Sequence, residues 1–343
     1  MAAAYETGSA TDVNDLMSKI RIFLTTVAGY TEQSYVTESS GRRMHMSKNS
    51  TFFNFRSFVA ETTPAGGTSQ TGIFFNAGSG YSGASAWHDQ SGVLKYNSNT
   101  AYLLPGCVQL TGSIVAYHIF YFSDTNYDVI YFFVESPAGT YQRMLFGRLD
   151  RSKFGTHWTT SPLEGMFYNG SQAHNNSAYS NSLSLFGENQ VGFWLDGRPK
   201  GAVFGSVPDG GTPQWLSGDF SIPQAQFSPA RVQCFDSIGK SGSIWLDTPN
   251  TFNSNPIQLP IVLNVTLDSA ATLSNTTPNV PWCPVGQFPF LYWINLVNIN
   301  PGSDVSISTD TYKCFPMRKK SDTWNQADPS IGTYRFGLAV LNP

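Results

Sequence analysis

The chain has 343 residues, a hydrophobic content of 41% and a formal net charge of −3. The hydrophobic content is enough to build a core, and the absence of a basic block excludes phosphate-driven binding of nucleic acid. Only 13% of the residues are charged, about half of the ~25% typical of soluble domains. Uncharged polar residues must therefore supply most of the surface, which favours packing against neighbouring molecules.

The first predicted element is an amphipathic helix. Its apolar residues recur at spacings of three, four and seven: Val13, Leu16, Met17, Ile20, Phe23, Leu24 and Val27. Thr11 or Ser9 can cap its start, and Gly29 is placed to stop it. Asp12 and Asp15 fall in the positive first turn. We expect the apolar stripe to lie against a sheet, and docking into a partner's groove is the alternative.

After Gly29 the hydrophobic period becomes that of strands. Residues 42–48 and 51–59 predict a hairpin around Asn49-Ser50. Residues 64–92 are rich in Gly, Ser and Thr, which predicts long loops around a short strand at 72–76.

The clearest sheet in the sequence is an antiparallel meander. Residues 114–122, 127–135 and 141–149 are β-branched and aromatic runs separated by short polar turns. Residues 155–186 are then loop-like, and a hairpin is predicted at 190–205 with Asp196-Gly197 as its turn.

The last part of the chain predicts further strands after a bridging segment at 205–230. These strands fall near residues 257–267, 291–299, 304–308, 311–315 and 333–341. The pattern predicts a mainly β protein, an antiparallel β-sandwich-like body with long loops and one N-terminal amphipathic helix. We expect two domains, 1–205 and 206–343, or their packing as one continuous body.

The sequence matches none of the common catalytic or metal-binding motifs. The five histidines, His45, His88, His118, His157 and His174, match no nucleophile elbow and no metal-ligand spacing. His118 is interpreted as a packed strand residue. A glycoside hydrolase would need two carboxyl groups close together. The candidates for such a pair are Glu135, Asp150 and Glu164. The interpretation is that the chain is not an enzyme and has no catalytic residue, cofactor or metal.

The cysteines and the ends of the chain indicate a cytosolic origin. Cys107, Cys234, Cys283 and Cys314 are far apart, which predicts buried free thiols in a reducing compartment. The first residues lack the features of a secretory signal, and no apolar run approaches the ~18 residues of a membrane span. We expect no contact with a membrane.

Aromatic residues in polar loops are the candidate interface. Trp87, Trp158 and Tyr168 lie in segments rich in Ser, Asn and Gly, so we expect their side chains to be exposed. Tyr and Trp are over-represented where proteins contact one another, and they also stack on sugar faces. Contacts with protein and with glycan therefore both remain open for these three residues.

Several blocks of the sequence resemble an uncharacterised family of virion proteins from tailed phages and prophages. The central block comprises Tyr117-His118-Ile119-Phe120, Tyr131-Phe132-Phe133-Val134-Glu135, Gly139-Thr140-Tyr141 and Phe146-Gly147-Arg148-Leu149-Asp150. The C-terminal block comprises Gly286, Leu296, Asn298, Pro301-Gly302-Ser303-Asp304, Tyr312-Lys313-Cys314-Phe315-Pro316 and the strand from Gly332 to Val340. The N-terminal Tyr5-Glu6-Thr7-Gly8-Ser9-Ala10 is also similar, whereas residues 155–280 share little of the pattern.

The resemblance implies a virion structural protein of the neck, tail or baseplate, assembled in the host bacterial cytoplasm. Its expected partners are copies of itself in a ring and other tail or head–tail proteins. No active residue is implied by the family pattern. Glu135 and the turn at Gly139 are expected to fix the register of the meander, and Phe315-Pro316 to end a strand and anchor the core. A host-surface adhesin that binds glycan is the alternative function.

Overall fold

A computed structural model describes most of the N-terminal half of the chain and selected strands of the remainder. The described residues are 1–61, 70–93, 106–110, 113–136, 140–150, 165–170, 191–195, 198–201, 225–229, 256, 258–266, 282–296, 299–316 and 336–343. They form antiparallel sheets and one helix, so the prediction of a mainly β, sandwich-like fold is confirmed. None of them forms a helix with the length and apolarity that crossing a bilayer requires.

Seven strands form what we call the central sheet, in the order β1-β7-β8-β9-β10-β11-β12. Their bounds are β1 Ala2–Ala10, β7 Ile114–Ser123, β8 Asp128–Ser136, β9 Thr140–Arg148, β10 Met166–Gly170, β11 Val191–Leu195 and β12 Arg198–Gly201. The predicted meander is confirmed as β7, β8 and β9, which pair in sequence order. The predicted hairpin at 190–205 is confirmed as β11 and β12, and its turn lies outside the described residues.

Two further sheets accompany the central one. The five-stranded sheet contains β2 Thr31–Glu38, β3 Gly41–Lys48, β4 Thr51–Glu61, β5 Gln70–Gly78 and β6 Gly106–Gln109, in that order. The C-terminal sheet has the order β13-β14-β15-β18-β17-β16. Its strands are β13 Ala225–Pro229, β14 Gln258–Thr266, β15 Trp282–Asn295, β16 Asp304–Ile307, β17 Asp310–Pro316 and β18 Phe336–Leu341.

The central sheet is buried on both faces. Ile119, Phe120, Tyr121 and Phe122 are all buried although successive strand residues point to opposite sides. One face shares a continuous apolar core with the five-stranded sheet and the helix. Rings on the other face contact the C-terminal sheet, as in the pairs Phe122–Phe290 and Phe133–Phe315. The described strands therefore form three layers, which explains why the meander sequences are continuously apolar.

The helix α1, Val13–Thr26, lies against β1, β3, β4 and β5, and the predicted apolar stripe is buried from Val13 to Leu24. Val27, the last residue of the predicted stripe, lies beyond the helix and is 41% exposed. Its cap is Asp12, whose carboxylate accepts hydrogen bonds from the backbone N–H groups of Asn14 and Asp15 at 2.7 and 2.9 Å. The prediction that Thr11 or Ser9 caps the helix is wrong, because Asp12 occupies the cap position. Gly29 adopts φ +70° just beyond the helix, where a glycine is favoured.

The predicted hairpin at Asn49-Ser50 is confirmed. These two residues join β3 to β4 with φ values of +50° and +65°. Positive φ at both central residues is the geometry of tight hairpin turns, and asparagine tolerates it better than most residues.

The close approach of two strands explains why residue 147, in the segment Phe146-Gly147-Arg148-Leu149-Asp150, is a glycine. Its φ is +136°, and a Cβ there would lie 2.1 Å from the backbone oxygen of Asp128. Because β8 comes so close to β9 at this point, only glycine fits without displacement of the backbone.

The two proposed domains correspond to separate sets of strands. Among the described strands, β1 to β12 fall within 1–205 and β13 to β18 within 206–343, and none of the three sheets mixes them. The segments nevertheless touch, since Asp150 and Gln287 form an isolated antiparallel bridge. Independent folding of the two segments stays a prediction.

Five strands were not predicted from the sequence. They are β1, β2, β6, β10 and β13, of which β10 lies in the predicted loop at 155–186 and β13 in the predicted bridge at 205–230. Strands β1, β2 and β10 lack the alternating apolar pattern by which strands are recognised, and β6 and β13 have only four and five residues.

Candidate functional site

The outer face of the five-stranded sheet is covered by the segment 79–93. Trp87 stacks on Phe74 at 5.9 Å between ring centroids, and Phe74 stacks on Phe58 at 4.2 Å. Gln90 holds the segment together, since its side chain hydrogen-bonds the backbone of Ser82, Ser85 and Ala86. This segment is therefore an ordered loop that packs on the sheet, and its Trp87 side chain is not free to contact another molecule.

Beneath that cover, three polar side chains cross the strands β3, β4 and β5. His45 Nδ1 lies 2.7 Å from Asn54 Oδ1, and Asn54 Nδ2 donates to Asn76 Oδ1 at 2.8 Å. The Tyr81 ring lies 4.9 Å from the His45 ring. Burial lowers the pKa of His45, which keeps the ring neutral at physiological pH. The row fixes the register of three strands through side-chain hydrogen bonds.

A buried ion pair joins the five-stranded sheet to the central sheet. Lys48 Nζ contacts Asp128 and donates hydrogen bonds to Ala28 O and to Tyr121 Oη, both at 2.7 Å. The same ammonium lies 4.8 Å from the centre of the Tyr121 ring. Tyr30 donates to Asp128 at 3.3 Å, and its burial raises its pKa well above the usual value. Lys48 and Asp128 are thus each contacted by more than one polar group, which offsets the free-energy cost of burying their charges.

The central sheet meets β17 through an aromatic cluster that we call the Phe315 junction. The Phe315 ring is fully buried and stacks on Phe133 at 4.1 Å. Tyr141 and His118 lie at 5.8 and 5.1 Å from the same ring. The expectation that Phe315 anchors the core is confirmed, and β17 ends at the following residue, Pro316.

His118 is the titratable group within this junction. Its Nδ1 lies 2.8 Å from Tyr5 Oη and 3.2 Å from Thr7 Oγ1. Burial and the nearby Lys313 together lower its pKa to about 4, against an opposing effect of Asp304. His118 is therefore a packed, neutral histidine at neutral pH, as interpreted from the sequence.

The low pKa of His118 predicts a loss of stability in mild acid. In the unfolded chain His118 binds a proton near pH 6.5, whereas in the folded chain it does so only near pH 4. The contribution of His118 to the free energy of unfolding is therefore fully present above pH 6.5 and decreases as the pH falls from 6.5 to 4. We expect His118 to account for about 2–3 kcal/mol of the decrease between pH 7.5 and 4.5. Urea unfolding at both pH values checks this. The prediction is wrong if His118→Gln leaves the pH dependence unchanged.

The three candidate interface residues do not form one exposed surface. Trp87 is only 5% exposed and Tyr168 is completely buried in the core between the sheets. The expectation that these two side chains are exposed is wrong, because Trp87 stacks on Phe74 and Tyr168 faces Phe75. Trp158 lies outside the described residues.

The carboxylates considered for glycoside hydrolysis are separated. Glu135 is opposite Tyr141 at one end of the β8–β9 pair, whereas Asp150 follows the other end. Nine residues from 141 to 150 correspond to more than about 20 Å in an extended strand. Retaining and inverting enzymes need roughly 5–10 Å, so these two residues are not such a pair. Glu164 lies outside the described residues.

The described residues contain no group of three or more His, Cys, Asp or Glu side chains positioned to hold a metal ion. Cys314 is a buried free thiol, as predicted, and burial raises its pKa to about 12. Of the remaining cysteines, Cys107 and Cys283 fall in strands β6 and β15 and Cys234 lies outside the described residues.

No model of a protein family and no curated protein matches this chain. The candidate sites therefore rest on geometry and on the sequence pattern. Of these sites, the Lys48–Asp128 pair and the polar row at His45 were missed at the level of sequence. Their members are separated along the chain and follow no motif, so only the pairing of the strands brings them together.

Proposed function

We propose that this chain is a structural component of a tailed-phage particle that makes symmetric contacts with its own copies and with neighbouring neck, tail or baseplate proteins. The observation that carries the proposal is the Phe315 junction. The separate sequence blocks that resemble virion proteins come together there as one packing unit.

The central and C-terminal blocks contact each other directly. Phe133 and Tyr141 belong to the central block, and both lie against Phe315 of the C-terminal block. A Cβ on Gly302, also in the C-terminal block, would lie 3.0 Å from Tyr141 Oη. These residues are more than 150 positions apart in the sequence. Residues of these two blocks thus pack together between two sheets, which supports the proposal of a structural role.

The N-terminal block joins the same unit. Tyr5 stacks on Phe120 at 4.6 Å and lies beside His118. The Lys313 ammonium lies 6.0 Å from the centre of the Tyr5 ring and pairs with Asp304 at 3.0 Å. The three blocks therefore pack together on the central sheet. That sheet includes β1 near the start of the chain and contacts β17 near its end.

Composition supports the same proposal. Charged residues are few, with 23 acidic and 20 basic side chains in 343 residues. A surface dominated by uncharged polar groups exerts little repulsion between copies, which suits a protein present many times in one assembly.

Detection in purified particles tests the proposal. Particles are isolated on a density gradient from a lysate of the phage or prophage that encodes the chain, and peptides are quantified by mass spectrometry. We expect the chain at a constant ratio to the major capsid protein across the particle peak. Its absence from the peak, with the protein free in the soluble lysate, contradicts the proposal.

A glycan array with the purified chain separates the assembly role from the adhesin role. The assembly proposal predicts no saturable binding to host-surface glycans. Binding that Trp158→Ala abolishes, while the same substitution at the buried Trp87 does not, favours the adhesin.

A further inference from the structure

The sheet edges of this protein differ in how they are protected. An edge strand exposes unpaired backbone groups, and proteins usually shield such edges with short strands, proline, charges or bulges. Strands β6 and β16 have only four residues each, and β13 has five and ends in Pro229. Strand β12 combines Pro199 with Arg198 and Lys200 in four residues.

The eight-residue edge strand β2 is protected in another way. It carries an irregularity between Glu32 and Ser34. Its Glu32 pairs with Arg21 of the helix, whose guanidinium lies over the Tyr35 ring. The helix and the irregular ladder together hinder the addition of another strand.

Strand β1 has few of these protections, because its one irregularity lies at its end, between Gly8 and Ala10. It has nine residues, contains no proline and carries one charged side chain, Glu6. Its ladder with β7 is regular from Ala2 to Gly8. In the described part of the chain, no backbone hydrogen bond outside that ladder involves residues 2–8. Among the described residues, no backbone group therefore pairs with the outward peptide groups of β1.

The inner side of β1 is held firmly in place. Tyr117 Oη donates to Glu6 at 2.9 Å, and Thr7 Oγ1 donates to Tyr117 O at 2.9 Å. Together with the stack of Tyr5 on Phe120, these contacts fix the strand as a rigid template. A partner strand then meets a preorganised edge, which reduces the entropic cost of binding.

We propose that β1 pairs antiparallel with β1 of a second copy across a two-fold axis, so that two central sheets become one continuous sheet. The inference deepens the proposed function by naming a self-contact, and it rests on that function only for the place of the dimer in a particle. A two-fold contact requires the same surface on both copies. Strand β1 meets that condition, being the least protected edge among the described strands.

The sequence of β1 suits self-pairing. A register centred on Tyr5 places Glu6 of each copy opposite Ala4 of the other, so no like charges face each other. The remaining positions are Ala, Thr, Gly and Ser, whose small side chains do not obstruct the approach of the second strand.

Proline variants at consecutive positions test the pairing. In an edge strand, successive N–H groups alternate between the inner ladder and the open side. One of Ala3→Pro and Ala4→Pro therefore removes an outward N–H and leaves the ladder to β7 intact. Thermal unfolding of dilute, monomeric protein identifies that variant, because its midpoint falls less than that of the variant that loses a ladder hydrogen bond. Val305→Pro and Ser306→Pro on the short edge strand β16 are matched controls.

Sedimentation equilibrium then measures self-association. We expect wild type to dimerise at micromolar concentration, to twice the 37.6 kDa chain mass. We expect the outward β1 proline to weaken dimerisation at least about tenfold, while the β16 variants associate like wild type. A wild-type chain that is monomeric at about 100 µM overturns the pairing, and so does a dimer that neither β1 proline weakens.

The pairing and the proposed function fail in different ways. A chain that is monomeric in solution but present in particles at a constant ratio contradicts the pairing alone. A dimer that is weakened by the β1 proline but is absent from particles contradicts the proposed function alone.

Discussion

Phe315→Ala is expected to reduce the free energy of unfolding by about 3–5 kcal/mol. The Phe315 ring is fully buried, stacks on Phe133 and also contacts Phe120 at 5.9 Å. Removing it leaves a cavity between two sheets whose backbones are held by separate ladders, so neighbouring side chains cannot easily fill the space. Urea unfolding followed by tryptophan fluorescence measures the loss.

The effect of Phe315→Ala should be concentrated where the C-terminal sheet meets the central sheet. Hydrogen exchange is expected to show faster opening of β17 and β18, with β3 and β4 close to wild type. Phe52→Ala removes a ring of the same size from a partly exposed position of β4 and is expected to cost clearly less. Equal losses for the two variants contradict the assignment of Phe315 as the anchor of the junction.

Lys48→Met is expected to cost about 3 kcal/mol, because it leaves the carboxylate of Asp128 without its cation at a site where that side chain is 10% exposed. Methionine retains the apolar stem of the lysine, so the loss reports the charge and its hydrogen bonds to Ala28 and Tyr121. The free energy of unfolding in urea measures it.

A double-mutant cycle isolates this interaction. Removing both charges in Lys48→Met with Asp128→Asn should be less destabilising than the sum of the single variants, with a coupling of at least about 2 kcal/mol. Arg21→Met is the comparison, since Arg21 and its partner Glu32 are 39% and 27% exposed, and it is expected to cost less than about 1 kcal/mol. Additive losses at Lys48 and Asp128 contradict a coupled buried pair.

Elements with strong local signals could be predicted from the sequence. The helix has its apolar stripe from Val13 to Leu24, and the β3–β4 hairpin has Asn49-Ser50 as its turn. The meander has three aromatic runs separated by short turns. Each pattern depends on residues close in sequence, so periodicity and turn chemistry are sufficient.

Strand β1 could not be predicted in the same way. Its residues, Ala2 to Ala10, are small or polar and lack alternation. The strand forms because β7, more than 100 residues later, supplies the ladder. Long-range pairing of this kind overrides a weak local preference for β structure.

The error at Trp87 and Tyr168 has a related cause. Both were interpreted as exposed because polar and small residues surround them in sequence. Trp87 is buried since Gln90 folds the segment back on itself and brings the indole onto Phe74. Tyr168 is buried because β10 pairs with β9 and lies inside the central sheet. Local composition does not contain either contact.

The proposal that this chain is a structural component of a tailed-phage particle is tested most directly by electron cryomicroscopy of the phage, with and without the gene for this chain. The proposal predicts symmetric density that fits the three stacked sheets and that disappears from particles of the deletion strain, together with a defect in assembly. Complete, infectious particles of unchanged density after the deletion would contradict it.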